Sequence, residues 1–314
     1  MHFILSIPCH RANNHAIRRI CQTIVTTGLL IFLSAFAVGN DDIHQQWAEH
    51  DPSQTFTPNH EPMSQILGFI TDASKAQDKY SYFRLQGAAL KYLNDYKGYL
   101  ERIPVSQLNK NEQLAYWLNL HNLLVIEKFA NNLKKAKRIN KKRGTPQKAG
   151  KWWREKVTNV EGVALSINDI EQNVLVRHWD DPLFLYGLFY GVKGHGFSGT
   201  QGFTGASVTS HLEGLAKKFI ENDSNIEIDG NEVAISSLLG WNKESVFNDD
   251  EQKLLGHIQA YATGNKALQL ASVNVIQDKY DFDWKSLAQR PPRQSTANAS
   301  NVNNSSAPVY RGGS

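Results

Sequence analysis

The sequence predicts an α+β fold, mainly helical, with short antiparallel hairpins around a glycine-rich central stretch. Three observations predict it. Apolar residues recur at three- and four-residue spacing through several long segments, which marks amphipathic helices. Two short β-branched runs fold about turn residues: Val157 to Leu165 around Glu161-Gly162, and Ile226 to Ile235 around Asp229-Gly230-Asn231. Between them LFLYGLFYG, Leu183 to Gly191, leads into VKGHGFSGTQGFTG, where Gly191, Gly194, Gly196, Gly199, Gly202 and Gly205 recur every two or three residues. Exposed backbone therefore follows directly on a buried element, the arrangement in which sites are commonly built.

Taken from the start, the first segment differs in kind. Arg11, Arg18 and Arg19 precede an uncharged run from Ile20 to Val38, with small residues at Ala35, Ala37 and Gly39. A basic stretch, an apolar stretch and a small-residue cleavage pattern read as a Sec export signal over 1–39, cut before Val38 or Asn40; an uncleaved membrane anchor is the alternative. Both cysteines of the chain, Cys9 and Cys21, lie inside it. The mature chain then has no thiol, which excludes disulfides, thiolate nucleophiles and cysteine-held metal. The segment also carries three of the 34 basic residues and none of the 30 acidic ones, so 31 basic face 30 acidic residues after removal. The basic balance belongs to the leader and gives no reason to expect a nucleic-acid partner.

Residues 40–61 are polar and read as a spacer, and 62–288 as a single globular domain. Apolar positions Ile66, Leu67, Phe69 and Ile70, then Tyr82, Phe83, Leu85, Leu90, Leu93, Tyr96 and Leu100, predict two amphipathic helices, the second ended by Ile103-Pro104. A third helix has Asn109 or Asn111 as its cap, Glu112 in its first turn, and Leu114, Trp117, Leu118, Leu124, Val125 and Phe129 as its buried face. Asn119, His121 and Asn122 interrupt that apolar run; read plainly, they hydrogen-bond loop backbone in the core. From Lys128 to Arg154 there is no acidic residue, while Lys134, Lys135, Arg138, Lys141, Lys142 and Arg143 crowd one connection. Such a block is first a solvated loop and second a surface for an anionic polymer. Trp152 and Trp153 return the chain to the core.

Ser166-Ile167-Asn168-Asp169 has the spacing of a helix start, so a helix there carries Ile170, Glu171, Val174 and Leu175. After Gly205 come a helix over Val208 to Ile220, the second hairpin, a helix around Leu254 to Tyr261 and a β-rich end at Val273 to Ile276. The segment 289–314 is polar, of low complexity, and reads as a disordered tail.

Gly194 to Gly199 matches G-x-G-x-x-G, but the strands come as hairpins rather than βαβ units, so no dinucleotide cofactor is expected. Ser198 lacks the second glycine of a nucleophile elbow, since Thr200 stands there. No metal-ligand spacing is present, and neither metal nor cofactor is expected.

Together these residues resemble the bacterial members of the domain of unknown function 547 family. The resemblance rests on Leu114 to Asn122, Leu165 to Glu171, the glycine-rich stretch ending Phe203-Thr204-Gly205, and Tyr280 to Trp284, and it covers roughly Tyr80 to Leu287. It implies a mixed α and β domain, often exported in bacteria. The chain departs from the pattern where it matters: His195 stands where the family has a cysteine, Gln172 where it has a histidine, and His121 where it has a tyrosine. If other members use a Cys and His pair in a papain-like manner, this chain cannot.

Two functions stay open. In the first, a cysteine-free member acts as a binding or scaffold module at the cell envelope, with a ligand or protein partner met by Asn119, Asn122, Trp117, Gly194 and Gly196. In the second, a hydrolase-like enzyme has rebuilt its chemistry, with His195 or His121 as general base beside Glu171. If the glycine-rich stretch is a site, at least two of His195, Asn122 and Glu171, including His195, are expected to line one cavity with Trp117 or Tyr190 in its wall; histidines and Glu171 on separate faces would remove the enzyme reading.

Overall fold

The computed structural model describes residues 45–71, 80–132, 147–191 and 199–279. The chain forms two compact units, Met1–Gln46 and Trp47–Ser314, and all described residues except Gln45 and Gln46 belong to the second. Residues 1–39, read above as an export signal, the basic residues Lys134 to Arg143, the Gly194-His195-Gly196 triplet, the Tyr280 to Trp284 segment and residues 289–314 lie outside the described residues.

The fold is α+β and mainly helical, built around helix α3, Lys110–Asn131. Asn109 caps it, its side-chain oxygen accepting from the Glu112 N–H at 3.0 Å. Every residue from Glu112 to Ile126 is buried. The sequence marks one apolar face, but the helix has no wet face along those turns, so each of its polar side chains needs an internal partner. α2 (Ala88–Leu100) and α4 (Val208–Glu221) pack around it, and α1 (Glu61–Ile70) packs against α2. α1 inserts Met63, Ile66, Leu67 and Ile70, while Phe69, expected on the same face, is 39% exposed. The second expected helix is shorter than its apolar spacing indicated: Tyr82–Arg84 forms a separate 3-10 turn, and Gly87, at φ +54°, breaks the path before Ala88. A left-handed residue cannot continue a right-handed helix.

The polar spacer ends earlier than the composition indicates. Trp47 is fully buried, its ring edge-on to Trp117 with centroids 4.9 Å apart. The Asp51 N–H donates to Leu108 O, Gln113 Nε2 donates to Glu49 O, and His60 is buried against Tyr96. Packing with the domain thus begins at Trp47, because one large aromatic and a few backbone carbonyls dock an otherwise polar run.

The first hairpin is β1 (Thr158–Val160) with β2 (Val163–Leu165), paired Thr158 to Leu165 and Val160 to Val163. Its turn residues Glu161 and Gly162 both have positive φ, as a two-residue hairpin turn requires. The second hairpin, β3 (Ile226–Asp229) with β4 (Glu232–Ser236), is joined by β5 (Val275–Lys279). β5 runs parallel to β4, so the sheet is more than a hairpin. Helix α5 (Glu251–Tyr261) and the turn helix Gly264–Leu270 lie in the connection from β4, which is long enough for the crossover a parallel pair needs. The apolar run Leu183 to Tyr190 is buried throughout, turning once as a helix at Phe184–Gly187 and then extending along α3.

Candidate functional site

The polar residues of α3 hold both flanks of the glycine-rich stretch. On one flank Asn122 Nδ2 donates to Gly187 O at 2.8 Å, and Asn122 Oδ1 accepts from the Phe189 N–H at 2.8 Å. On the other, Asn119 Nδ2 donates to Phe203 O at 2.8 Å and its Oδ1 accepts from the Phe203 N–H at 2.9 Å. Each asparagine side chain thus stands in for a neighbouring strand. Three further contacts tighten the frame. Tyr82 Oη donates to Gly191 O, Ser64 Oγ accepts from the Gly202 N–H, and Glu112 accepts from the Gly205 N–H at 3.2 Å. Burial raises the Glu112 carboxyl above its ordinary value, opposed by the Gly205 N–H and by Thr57.

Close approach explains the glycines that flank the stretch. A Cβ at Gly205 would stand 2.4 Å from the Glu112 carboxyl carbon, and one at Gly202 would stand 2.9 Å from His60 O. Gly191, at φ +76°, would bring a Cβ within 2.3 Å of the Phe129 ring. Larger residues at these positions would push the chain off α3.

Beside this frame lies a buried acid and base pair. The Ser166 helix opens with a capping box: Ser166 Oγ accepts from the Asp169 N–H, and Asp169 accepts from the Ser166 N–H. It then widens into a π-turn over Ile170–Leu175 before closing at Val176–His178. A π-turn carries an extra residue per turn and recurs at functional sites. Glu171 sits in it, and its Oε1 lies 2.7 Å from His121 Nε2 and accepts from Trp153 Nε1 at 3.2 Å. His121 Nδ1 meets Asn122 Oδ1 at 2.9 Å, which ties the pair to the clamp. Glu171 Oε2 is buried and has no hydrogen-bond partner among the described residues. Trp153 and Tyr190 stand near the imidazole, centroids 6.5 and 6.0 Å away, and are nearly parallel to each other. Burial, then the nearby Glu171, hold the Tyr190 hydroxyl well above the usual phenol range, while Asn242 opposes them.

Of the residues singled out in the sequence, His121, Asn122 and Glu171 come together in one hydrogen-bonded chain, with Tyr190 alongside. Asn119 serves the other flank. Trp117, one turn before His121, packs against Trp47 and Tyr116 rather than against Glu171 or Trp153. His195, Gly194 and Gly196 fall outside the described residues. The plain reading of the polar run on α3 fits Asn119 and Asn122, which hold backbone, but not His121, whose partners are two side chains. Sequence reasoning missed Trp153 as a donor to Glu171, and Ser64, Tyr82 and Glu112 as clamps. Trp153 left a signal, because a buried indole N–H seeks an acceptor; Ser64 left none. Among the described residues no group of three or more His, Cys, Asp or Glu could hold a metal ion, and no helix is long and apolar enough to cross a membrane.

A family model described as Protein of unknown function, DUF547, matches residues 105–220. The chain is similar to that family over α3, the first hairpin, the Ser166 helix, the glycine-rich stretch and α4, a narrower span than Tyr80 to Leu287, and Tyr280 to Trp284 lies beyond it. No match was found among curated proteins or among solved structures.

Proposed function

We propose that the chain is an exported protein of the cell envelope whose DUF547 segment works as a binding or scaffold module rather than as an enzyme. One observation carries this reading. His121 is 0% exposed and Glu171 1%, they are bonded to each other, and the amides beside them hold backbone. A general base has to reach the proton it removes. The clamped flanks Gly187 to Gly191 and Gly202 to Gly205 instead fit a scaffold that fixes where the segment between them starts and ends. The segment includes Gly194, His195 and Gly196, the proposed ligand contacts. The basic residues Lys134, Lys135, Arg138, Lys141, Lys142 and Arg143 are the proposed contact for an anionic polymer.

The test uses the full chain expressed with its own N-terminus and recovered from envelope or medium. Its first residue is expected at Val38 or Asn40, with no reaction toward a thiol reagent. Retention on a heparin column is expected to weaken when the six basic residues are changed to glutamine. Hydrolysis of ester, amide or glycoside substrates that disappears in His121→Gln or Glu171→Gln, with the fold intact, would overturn the reading. The second reading, a hydrolase-like enzyme using His195 or His121 with Glu171, draws on the partnerless Glu171 Oε2 in its π-turn. Loss of turnover in His195→Ala would favour it.

A further inference from the structure

Asn122 decides where the protons of the buried pair lie. Backbone groups read its carboxamide from both ends, Gly187 O at Nδ2 and the Phe189 N–H at Oδ1. A carbonyl cannot donate and a backbone N–H cannot accept, so the amide has one orientation only. His121 Nδ1 lies 2.9 Å from that same Oδ1, which can only accept. Nδ1 therefore carries a proton. The other ring nitrogen lies 2.7 Å from Glu171 Oε1, and this bond needs one proton as well, on Nε2 in an ion pair or on Oε1 in a neutral pair. Trp153 Nε1–H also points at Oε1, so this oxygen takes two contacts while Oε2 takes none.

We infer that Asn122 is a positioning residue that locks His121 in its Nδ1–H form, so that His121 and Glu171 make a buried dyad sharing one proton. This goes beyond the scaffold reading and does not depend on it. The amide that clamps Phe189 also sets the imidazole, so a displacement of the Gly187 to Phe189 flank reaches the dyad through one side chain. Tyr190 is the other titratable group against the pair, its ring beside the imidazole and its hydroxyl raised in part by the Glu171 charge. Glu171 Oε2 and the Tyr190 hydroxyl find no hydrogen-bond partner among the described residues.

The test is nuclear magnetic resonance on the full chain labelled with 15N and 13C, with His121→Gln used to assign the His121 signals. The expected result is a protonated Nδ1 with a slowly exchanging proton, and a scalar coupling across the hydrogen bond from Nδ1 to the Asn122 carboxamide carbon. A far-downfield proton of the Nε2 to Oε1 bond is expected in the wild type and lost in Glu171→Gln. In that variant a glutamine can offer the locked imidazole only its amide N–H, which leaves Nε2 bare. An unprotonated Nδ1, a missing coupling to Asn122, or the absence of the downfield proton in the folded wild type would each overturn the inference.

Discussion

Asn119 and Asn122 on one side, and His121 with Glu171 on the other, are equally buried and three of the four lie within one turn of α3, yet they are satisfied in opposite ways. Each asparagine has one amide N–H and its carboxamide oxygen matched by backbone, and Asn122 Oδ1 takes His121 Nδ1 as well. The pair is matched by side chains, needs a proton between its members, and leaves Glu171 Oε2 unused. The difference separates two roles that burial alone cannot: residues that hold a frame, and residues that the frame holds.

The comparison is broken most easily at Asn122. Asn122→Leu would strand Gly187 O, the Phe189 N–H and His121 Nδ1–H in the core, at about 1–3 kcal/mol each, so urea unfolding should show a loss on the order of 4 kcal/mol. Asn119→Leu strands only the two Phe203 groups and should cost less. A loss below about 1 kcal/mol in Asn122→Leu, no more than a surface change brings, would end the distinction.

His60 supplies a contrasting histidine. It is buried, its Nδ1 pairs with Tyr96 Oη, its Nε2 has no partner among the described residues, and burial lowers its pKa from 6.5 to about 4. Between those values the unfolded chain binds the proton more readily than the folded one. Its contribution to stability is complete above about pH 6.5, is lost as pH falls toward 4, and is flat below, a change on the order of 3 kcal/mol. His257, lowered to about 4 by burial, acts in the same direction. Unfolding of His60→Gln across that range should show a shallower acid slope than the wild type.

Smaller effects sharpen the same division. Gly205→Ala pushes a methyl group into the carboxyl of Glu112 and should cost about 2 kcal/mol, since overpacking a close contact moves its neighbours. The cost should shrink in a Glu112→Ala background, measured as a double-mutant cycle. Glu171→Gln should cost about 1–3 kcal/mol, because an amide N–H turned to His121 Nε2 leaves the Trp153 N–H facing a donor.

Much of the fold was legible because its determinants are local. The Asn109 cap, the Ser166 capping box and the turns at Glu161-Gly162 and Asp229-Gly230-Asn231 all lie within a few residues of what they control. The docking of Trp47 on Trp117 was not legible, since the partners are 70 positions apart in a run that is otherwise polar. Neither was the parallel placement of β5, which depends on what fills the crossover. At the site, polar residues inside an apolar helix announced that partners exist without naming them. The π-turn that carries Glu171 has no signature in the Ile170 to Leu175 letters, and its contact with Trp153 reaches back across the first hairpin.

Hydrogen exchange at the Phe189 and Phe203 amides tests the clamp most directly. If the asparagines of α3 hold both flanks of the glycine-rich stretch, these two N–H groups exchange only through global unfolding, as slowly as the core of α3, and each is released selectively by Asn122→Leu or Asn119→Leu. Exchange in the wild type as fast as at an exposed turn such as Gly230 would contradict the account.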